Sequence, residues 1–489
     1  FFYSRRIGRE PQGYVTEDGF VRMPDRTTIL GAAKLTGKLG GSWNVGWLNA
    51  VTGREFAQID QIGTRLTQEV EPFSYYGALR VQKDIDQGRS GFGLMATGVV
   101  RDLAGTGSNT LSGILNKNAL SLAADGWVSL DKKKDWVIGG WAGATRVEGS
   151  VEDILRLQTS SMHYFQRPDA THVEVDPTAT SLSGWAARFN LAKQSGHLLV
   201  LANVGAISPG FDPNDIGFQY GGSDIINMQL IPGYQWTKPG KIFRYALVIG
   251  GWFRNYDFGG NKNWDGGLVE FQGQLRNFWQ VDTMFAYNPD TISKNLTRGG
   301  PLALTPSGYQ VNLNVTTDNR KPIVFSLEAT TYQRPRASEE WSAVLSARWK
   351  PVSNFSLSLG PMVELTRNDI QWVTRVDDAL MTATYGKRYV FGRIDEKVVG
   401  SEIRLDWTFT PKLTLQAYLQ PYLAVGHYDM FKELVAPKTF AYNVYGAQGG
   451  ASTIVYDGAT GVYTVDPDGA AGAAEPFAIG NPDFNYKSM

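Results

Sequence analysis

The chain has 489 residues, with 47 basic and 47 acidic side chains and a formal net charge of zero, which leaves no basic excess for nucleic acid as a partner. It has no cysteine and four histidines far apart in sequence, His163, His172, His197 and His427. Disulfide scaffolds and thiolate-held metals are therefore excluded, and little remains for a histidine metal site. Mean hydropathy is −0.24 and no apolar run reaches the about 18 residues of a membrane helix, so any crossing of a bilayer falls to strands with one apolar face.

Glycine is enriched at 55 residues, and 14 Trp and 22 Tyr make the chain aromatic. It opens on Phe1-Phe2-Tyr3-Ser4-Arg5-Arg6, without an initiator Met or an apolar leader, and is expected to be a fragment of a longer protein.

In chain order, tight turns are expected at Gly40-Gly41, 84–88, 131–135, 194–196, 237–240, 276–278, 318–321, 352–354 and 410–412. Between them lie long segments at 51–72, 103–117, 148–180, 207–225, 254–263, 289–306 and 368–387. The connecting stretches alternate strictly. Val311, Leu313 and Val315 oppose Gln310, Asn312 and Asn314; Phe325, Leu327 and Ala329 oppose Ser326 and Glu328; Trp341, Ala343, Leu345, Ala347 and Trp349 oppose Ser342, Ser346 and Arg348. Phe355, Leu357 and Leu359 oppose Ser356 and Ser358. Ile403, Leu405, Trp407 and Phe409 oppose Glu402, Arg404, Asp406 and Thr408, and the pattern resumes after Pro411 with Leu413, Leu415, Ala417 and Leu419. Period-two alternation over about ten residues is the pattern of a tilted membrane-crossing strand, whereas strands of soluble proteins centre on about five or six.

A soluble β-sandwich also alternates, but it has no reason to alternate short and long connections. An outer-membrane barrel does, with short periplasmic turns and long extracellular loops. The expected fold class is therefore all-β, a transmembrane antiparallel β-barrel of roughly 18–20 or more spanning strands, forming one domain over 1–489. One place breaks the rule: a short connection is expected near Asp395-Glu396, with another at Pro411. It is resolved if 371–376 and 388–394 form strands outside the membrane that do not span separately. The tail from about Gly446 is rich in Gly, Ala, Asp and Pro and reads as loop, so further closing strands are expected beyond Met489.

Several pieces resemble a known family: Phe2-Tyr3-Ser4-Arg5-Arg6-Ile7-Gly8, Gly31-Ala32-Ala33-Lys34-Leu35-Thr36-Gly37-Lys38, Phe165-Gln166-Arg167-Pro168-Asp169, Ser181-Leu182-Ser183-Gly184-Trp185 and Ser208-Pro209-Gly210-Phe211 running to Gly217-Phe218. Leu296-Thr297-Arg298-Gly299-Gly300-Pro301, Tyr385-Gly386-Lys387-Arg388-Tyr389-Val390-Phe391 and Thr408-Phe409-Thr410-Pro411 complete the set. Together they look like the barrel portion of the domain-of-unknown-function 5916 family of bacterial outer-membrane proteins, over nearly the whole chain. The resemblance implies an N-terminal carbohydrate-binding, family 9-like module in longer members, which is not expected within these 489 residues. It implies no activity and no catalytic residues.

Candidate sites follow from the pattern. Charges in mid-strand at Lys34, Arg80, Glu328, Arg348, Glu402, Arg404 and Asp406 suit a wet lumen, where both signs are expected to pair across the wall and secondarily to tune passage of solutes. Gly105-Thr106-Gly107-Ser108-Asn109 lacks the strand, helix and Lys of a phosphate loop and reads as an external loop. Ser150 and Asp153 form a helix-capping pair, and Ile154, Leu155, Met162 and Phe165 give that segment one apolar side, either as a lid or plug or as a loop packed on itself. Ser208–Asp215 carries three oxygen-bearing side chains that suit calcium, but Asp-Pro-Asn-Asp is ordinary turn chemistry, and the turn is preferred. Trp252, Tyr256, Phe258 and Trp264 surround one external loop, as an interface belt in preference to a sugar-stacking site.

No histidine meets a serine in a triad-like pattern, so the expectation is a non-enzymatic barrel without cofactor or metal in the bacterial outer membrane. It would pass or bind a solute, with glycan-derived solutes as one candidate. A plugged barrel that docks periplasmic or surface proteins is the alternative, and a barrel hydrolase acting on lipid or saccharide the third reading. Expected partners are outer-membrane lipid and either a carbohydrate or a protein, with no nucleic acid.

Overall fold

Alternation in the sequence becomes a sheet with two chemically different faces. The computed structural model describes residues 3–104 and 110–489; the glycine-rich stretch Gly105–Asn109 lies outside them. The chain is all-β, with about 19 to 21 antiparallel strands in one large sheet of meander connectivity. One α-helix, α1 (Val151–Thr159), occurs among the described residues. Two compact units divide the chain: Phe1–Ser195, Val200–Gln229 and Asn255–Asn261 form the first, and Gly196–Leu199, Leu230–Arg254 and Lys262–Met489 the second.

In the first unit, strands Trp43–Thr52, Phe73–Ile85, Ser90–Asp102, Asn118–Ser129, Trp136–Glu148 and Ser181–Lys193 pair in sequence order. Ile29–Leu39 joins Trp43–Thr52 through a tight turn in which Gly41 and Ser42 take φ of 73° and 66°, the left-handed conformations a short hairpin turn requires. The long segment after Thr52 folds as a hairpin, Glu55–Gln61 and Thr64–Glu71, which takes Phe20–Arg22 as a third strand.

In the second unit, the register sets Phe285 beside Val311, Leu327 beside Leu345, Trp341 beside Leu365, Leu359 beside Ile403 and Trp407 beside Leu415. These neighbours share one face, and that face is open: Phe325, Trp341 and Leu345 are each more than 50% exposed. A continuous field of large exposed apolar side chains is uncommon on a soluble monomer. The opposite face carries Asp282, Asn312, Asn314, Glu328, Ser346, Arg348, Ser358, Glu402 and Arg404, at the intervening positions of the same ladders.

Two expectations are corrected here. No connection exists at Asp395-Glu396; Phe355–Asp377 and Lys387–Thr410 are single strands of 23 and 24 residues, and the stretches 371–376 and 388–394 are their continuations. A tilted strand crosses hydrocarbon in about 9–11 residues, so this hairpin is twice as long as a crossing needs. The tail is not loop throughout: Thr453–Asp457, Val462–Asp466 and Phe477–Gly480 form a small sheet, and Phe484–Ser488 pairs with Tyr422–Leu434. Glycines and prolines there punctuate short strands, which composition alone does not reveal. Pro421, with no N–H to donate, separates Leu413–Leu419 from Tyr422–Leu434; both pair with Lys387–Thr410, one after the other along it.

The outer part of the long hairpin is packed on both faces. Val390 and Ile394 join Tyr428, Phe431, Tyr445, Val465 and Ile479. Tyr389 and Phe391, pointing the other way, join Ala303 and Leu434, with Trp372 against them. Between the layers, Arg388 is 5% exposed and donates to Asp378 (2.7 Å) and Glu433 (2.5 Å), and the Tyr445 hydroxyl donates to Glu433 (2.9 Å). A buried cation with two carboxylates and a hydroxyl is satisfied locally.

Candidate functional site

The polar face of the first unit changes character at one level. Ala50, Tyr76, Val99, Ala119, Val147 and Leu182 are direct cross-strand neighbours on six consecutive strands. All six are buried in a single apolar cluster with Ile154 and Leu157 of α1 and Ile216. The helix forms where Ser150 accepts a hydrogen bond from the Asp153 N–H (3.2 Å), with Glu152 and Asp153 in its first turn, a side-chain cap reinforced by the helix dipole. Of the side chains expected to make its apolar side, Ile154 is fully buried; Met162 and Phe165 follow the helix rather than belonging to it. Burial pushes the Asp153 carboxyl above its ordinary range, against the Arg156 bond at 2.8 Å.

Below that apolar row the face is made of Thr97, Ser121 and Thr145, and deeper still Arg80 pairs with Asp125. Gly93, which sits between their strands, has no side chain, and a Cβ there would lie 2.4 Å from the Arg80 guanidinium. Its absence lets Arg80 lie across the intervening strand. Above the row, the fully buried Arg101 donates to the Asn116 carbonyl (2.8 Å) and to Asp215 (2.5 Å), and Asn116 also donates to Asp215 (2.5 Å). The N-terminal segment closes the same region: the Tyr3 N–H donates to the Ile216 carbonyl (2.7 Å), and Gln12 donates to the buried Glu71 through backbone and side chain (2.9 and 3.1 Å).

The oxygen-bearing side chains of Ser208–Asp215 thus serve as separate anchors. Asp215 holds Arg101. Asp212 accepts from the Asn214 N–H (2.8 Å) and faces His163 Nε2 at 3.3 Å, while His163 Nδ1 lies 2.7 Å from the Pro209 carbonyl. Burial pushes the Asp212 carboxyl up, but the His163 and Asn214 hydrogen bonds outweigh it and hold the group below its ordinary value. One group that the sequence reading did not assemble brings His172, Asp224 and Asp257 within 4.8 Å of one another. Its donors are of metal-ligand type. Arg167, however, occupies the position with its guanidinium, 3.1 Å from Asp224 and 3.7 Å from Asp257, and Asn261 donates to Asp257 (2.7–3.1 Å). Fixed cations and donors already neutralise the two carboxylates, so the residues present do not fit a metal ion. His172, Arg167, Asp224 and Asp257 knit the 148–180 segment to residues 224 and 257–261. The remaining imidazoles rest on the Gln235 carbonyl (His197, 2.8 Å) and Asp483 (His427, 2.8 Å). His427 lies within the strand Tyr422–Leu434.

In the second unit the polar face is open. A hollow of about 550 Å³ includes Ser326, Ser346, Arg348, Ser358 and Glu402. Another, of about 590 Å³, is lined by Gln272, Gln274, Gln280, Asp282 and Asn314. Asn314 donates to Asp282 (3.3 Å) and Asn312 to Thr330 (3.0 Å).

The charges singled out from sequence therefore separate. Arg80 is paired with Asp125 across strands. Arg404 lies 3.3 Å from Asp406 on its own strand. Arg348 and Glu402 share the first hollow, Glu328 stands between Asn314 and Val344, and Lys34 stands beside Leu48. A cross-wall ladder of ion pairs is confined to the first of these. The four aromatics do not form one cluster either: Phe258 meets Trp185 edge-on (6.1 Å), Trp264 tilts against Phe253 (4.4 Å), Trp252 lies under Arg254 (5.4 Å), and Tyr256 ends its strand.

A crystal structure of Acinetobacter baumannii OccAB4 aligns with a TM-score of 0.32 and 12% identity, over 79% of this chain and 93% of that one. No curated protein sequence matches the chain. The sequence profile of the family described as Domain of unknown function (DUF5916) matches residues 1–135 and 145–444, and this chain belongs to that family.

Proposed function

We propose that the chain is a non-enzymatic barrel of the bacterial outer membrane that passes or binds hydroxyl-rich, glycan-derived solutes, with its short turns on the periplasmic side. The observation that carries this reading is the in-register separation of faces. Rows such as Phe325–Ala347, Leu327–Leu345 and Leu357–Leu405 are open on one side, and amides, hydroxyls and mixed charges occupy the other. Hydrocarbon suits the first face and water the second. Asn, Gln and Asp side chains offer both donors and acceptors to hydroxyl groups without a strong single-sign field. The α1 segment acts as a lid on the first unit's polar face. Conductance of the purified protein in planar bilayers tests the reading: oligosaccharides should block a steady current in a concentration-dependent way.

The docking alternative is favoured by one observation, the apolar row sealed by Ile154 and Leu157. It predicts no current, either in the native protein or after the lid is loosened by Ile154→Ala.

A further inference from the structure

One hollow lies among apolar side chains of the second unit, and its Tyr245 also borders the polar hollow of Gln272 and Gln274. It measures about 410 Å³ and is floored by Trp236, Ile242, Phe243, Tyr245 and Phe271 of the second unit, a volume in the range of a small-molecule site. Phe243 and Phe271 meet edge-on at 5.3 Å. A Cβ on Gly273 would lie 2.7 Å from the Phe271 ring and 3.2 Å from Phe243, so the glycine is what allows the Phe271 ring to lie down along the wall. Trp236 ends its strand at a short connection, and Ile242, 64% exposed, stands at the other side of that connection.

The same hollow is lined at this end by Lys238 and Lys241. Both lysines are exposed, and neither ammonium has a hydrogen-bond or ion-pair partner among the described residues. Arg276 enters the same neighbourhood, its backbone N–H donating to the Ile242 carbonyl (2.9 Å). From Ile231 to Gly250 the chain has two lysines, one arginine and no carboxylate. An apolar trough that opens on unpartnered cations matches a ligand with hydrocarbon at one end and an anion at the other. Cations beside a membrane-facing trough attract anionic head groups, and lysine stems snorkel to reach them.

We propose that this hollow is a binding site for one anionic phospholipid, its acyl chain lying on Phe243, Tyr245 and Phe271 and its phosphate between Lys238 and Lys241. The proposal rests on the membrane-barrel reading above and adds to it a specific lipid partner on the short-turn side.

The test uses the whole chain purified in a non-ionic detergent and mixed with phosphatidylglycerol or phosphatidylcholine of identical acyl chains, with bound lipid counted by native mass spectrometry. One phosphatidylglycerol should be retained at least tenfold more strongly than phosphatidylcholine. The Lys238→Ala/Lys241→Ala variant should lose that preference, and Gly273→Val should weaken retention of both lipids by crowding the Phe271 ring. Glycerol phosphate, which carries the head-group anion without a tail, should not compete. Equal retention of the two lipids, an unaltered preference in the double-lysine variant, competition by glycerol phosphate, or a dimer that covers the groove would each overturn the proposal. Fractionation of cells that express the double-lysine variant separates this from failure of the underlying reading: the variant stays in the membrane fraction if only the lipid site is lost.

Discussion

Replacement of Ile154 by Ala is the sharpest probe of the lid. The side chain is 0% exposed and packs into the row made by Ala50, Tyr76, Val99, Ala119, Val147 and Leu182. The change removes three carbons, about 0.8 kcal/mol each in transfer energy, and leaves a cavity that six strands of a hydrogen-bonded sheet cannot collapse to fill. Such substitutions cost about 2–5 kcal/mol. With the loss concentrated on α1, about 2.8 kcal/mol raises the open population of the helix roughly a hundredfold. Hydrogen exchange of the α1 amides reads that population directly, and exchange in Phe73–Ile85 serves as the internal control. Faster exchange confined to α1 and its flanks is expected. If the α1 amides exchange at the native rate in a folded variant, the helix is not held by this row and the lid reading fails.

Other outcomes follow from the same structure. Leu345→Arg places a charge in the middle of the apolar face and should cost about 2–4 kcal/mol, seen as loss of the heat-resistant folded band on gels, while Ser346→Arg on the opposite face should be tolerated. Arg388→Met strands Asp378 and Glu433 in a closed layer and should cost about 3–5 kcal/mol, read as new trypsin cleavage after Lys432 or Lys438. The Asp212 carboxyl is held below its ordinary value of 3.8, so its contribution is present above that pH and disappears as the pH falls through the lowered value. Pepsin should cut within 208–224 slowly near about pH 4 and faster towards about pH 2, whereas Asp212→Asn should already be cut at the higher pH. Gly93→Leu should push Arg80 off Asp125 and alter the ion selectivity of any current, with about 1–3 kcal/mol of overpacking strain.

Much of the wall was legible because a strand with one apolar and one polar face must alternate. The positions 311–315, 325–329, 341–349 and 403–409 obey that period, and the structure pairs them in register. What was missed lies where the period stops meaning lipid. At Val99-Val100 two neighbouring apolar positions face opposite ways, Val100 outward and Val99 beneath α1; the doubled valine was the available signal. In Arg388-Tyr389-Val390-Phe391 the run is continuous because protein covers both sides, the pattern of a fully enclosed strand. The short connection expected after it at Asp395-Glu396 does not form, because the strand runs on to Thr410. The group of Arg167, His172, Asp224 and Asp257 had no sequence signature, since its members come from three separate segments and only chain folding brings them together.

The long hairpin also works as a depth gauge written in side chains. Along Lys387–Thr410, five consecutive residues from Arg388 to Gly392 are enclosed, whereas from Glu402 to Phe409 polar and apolar side chains alternate. A scan with a charged residue along this strand would therefore trace two regimes: rejection at every position near its start, and rejection at every second position near its end. On the membrane-barrel reading proposed above, the residue at which one regime gives way to the other marks, to within a step or two, where the bilayer surface meets the protein.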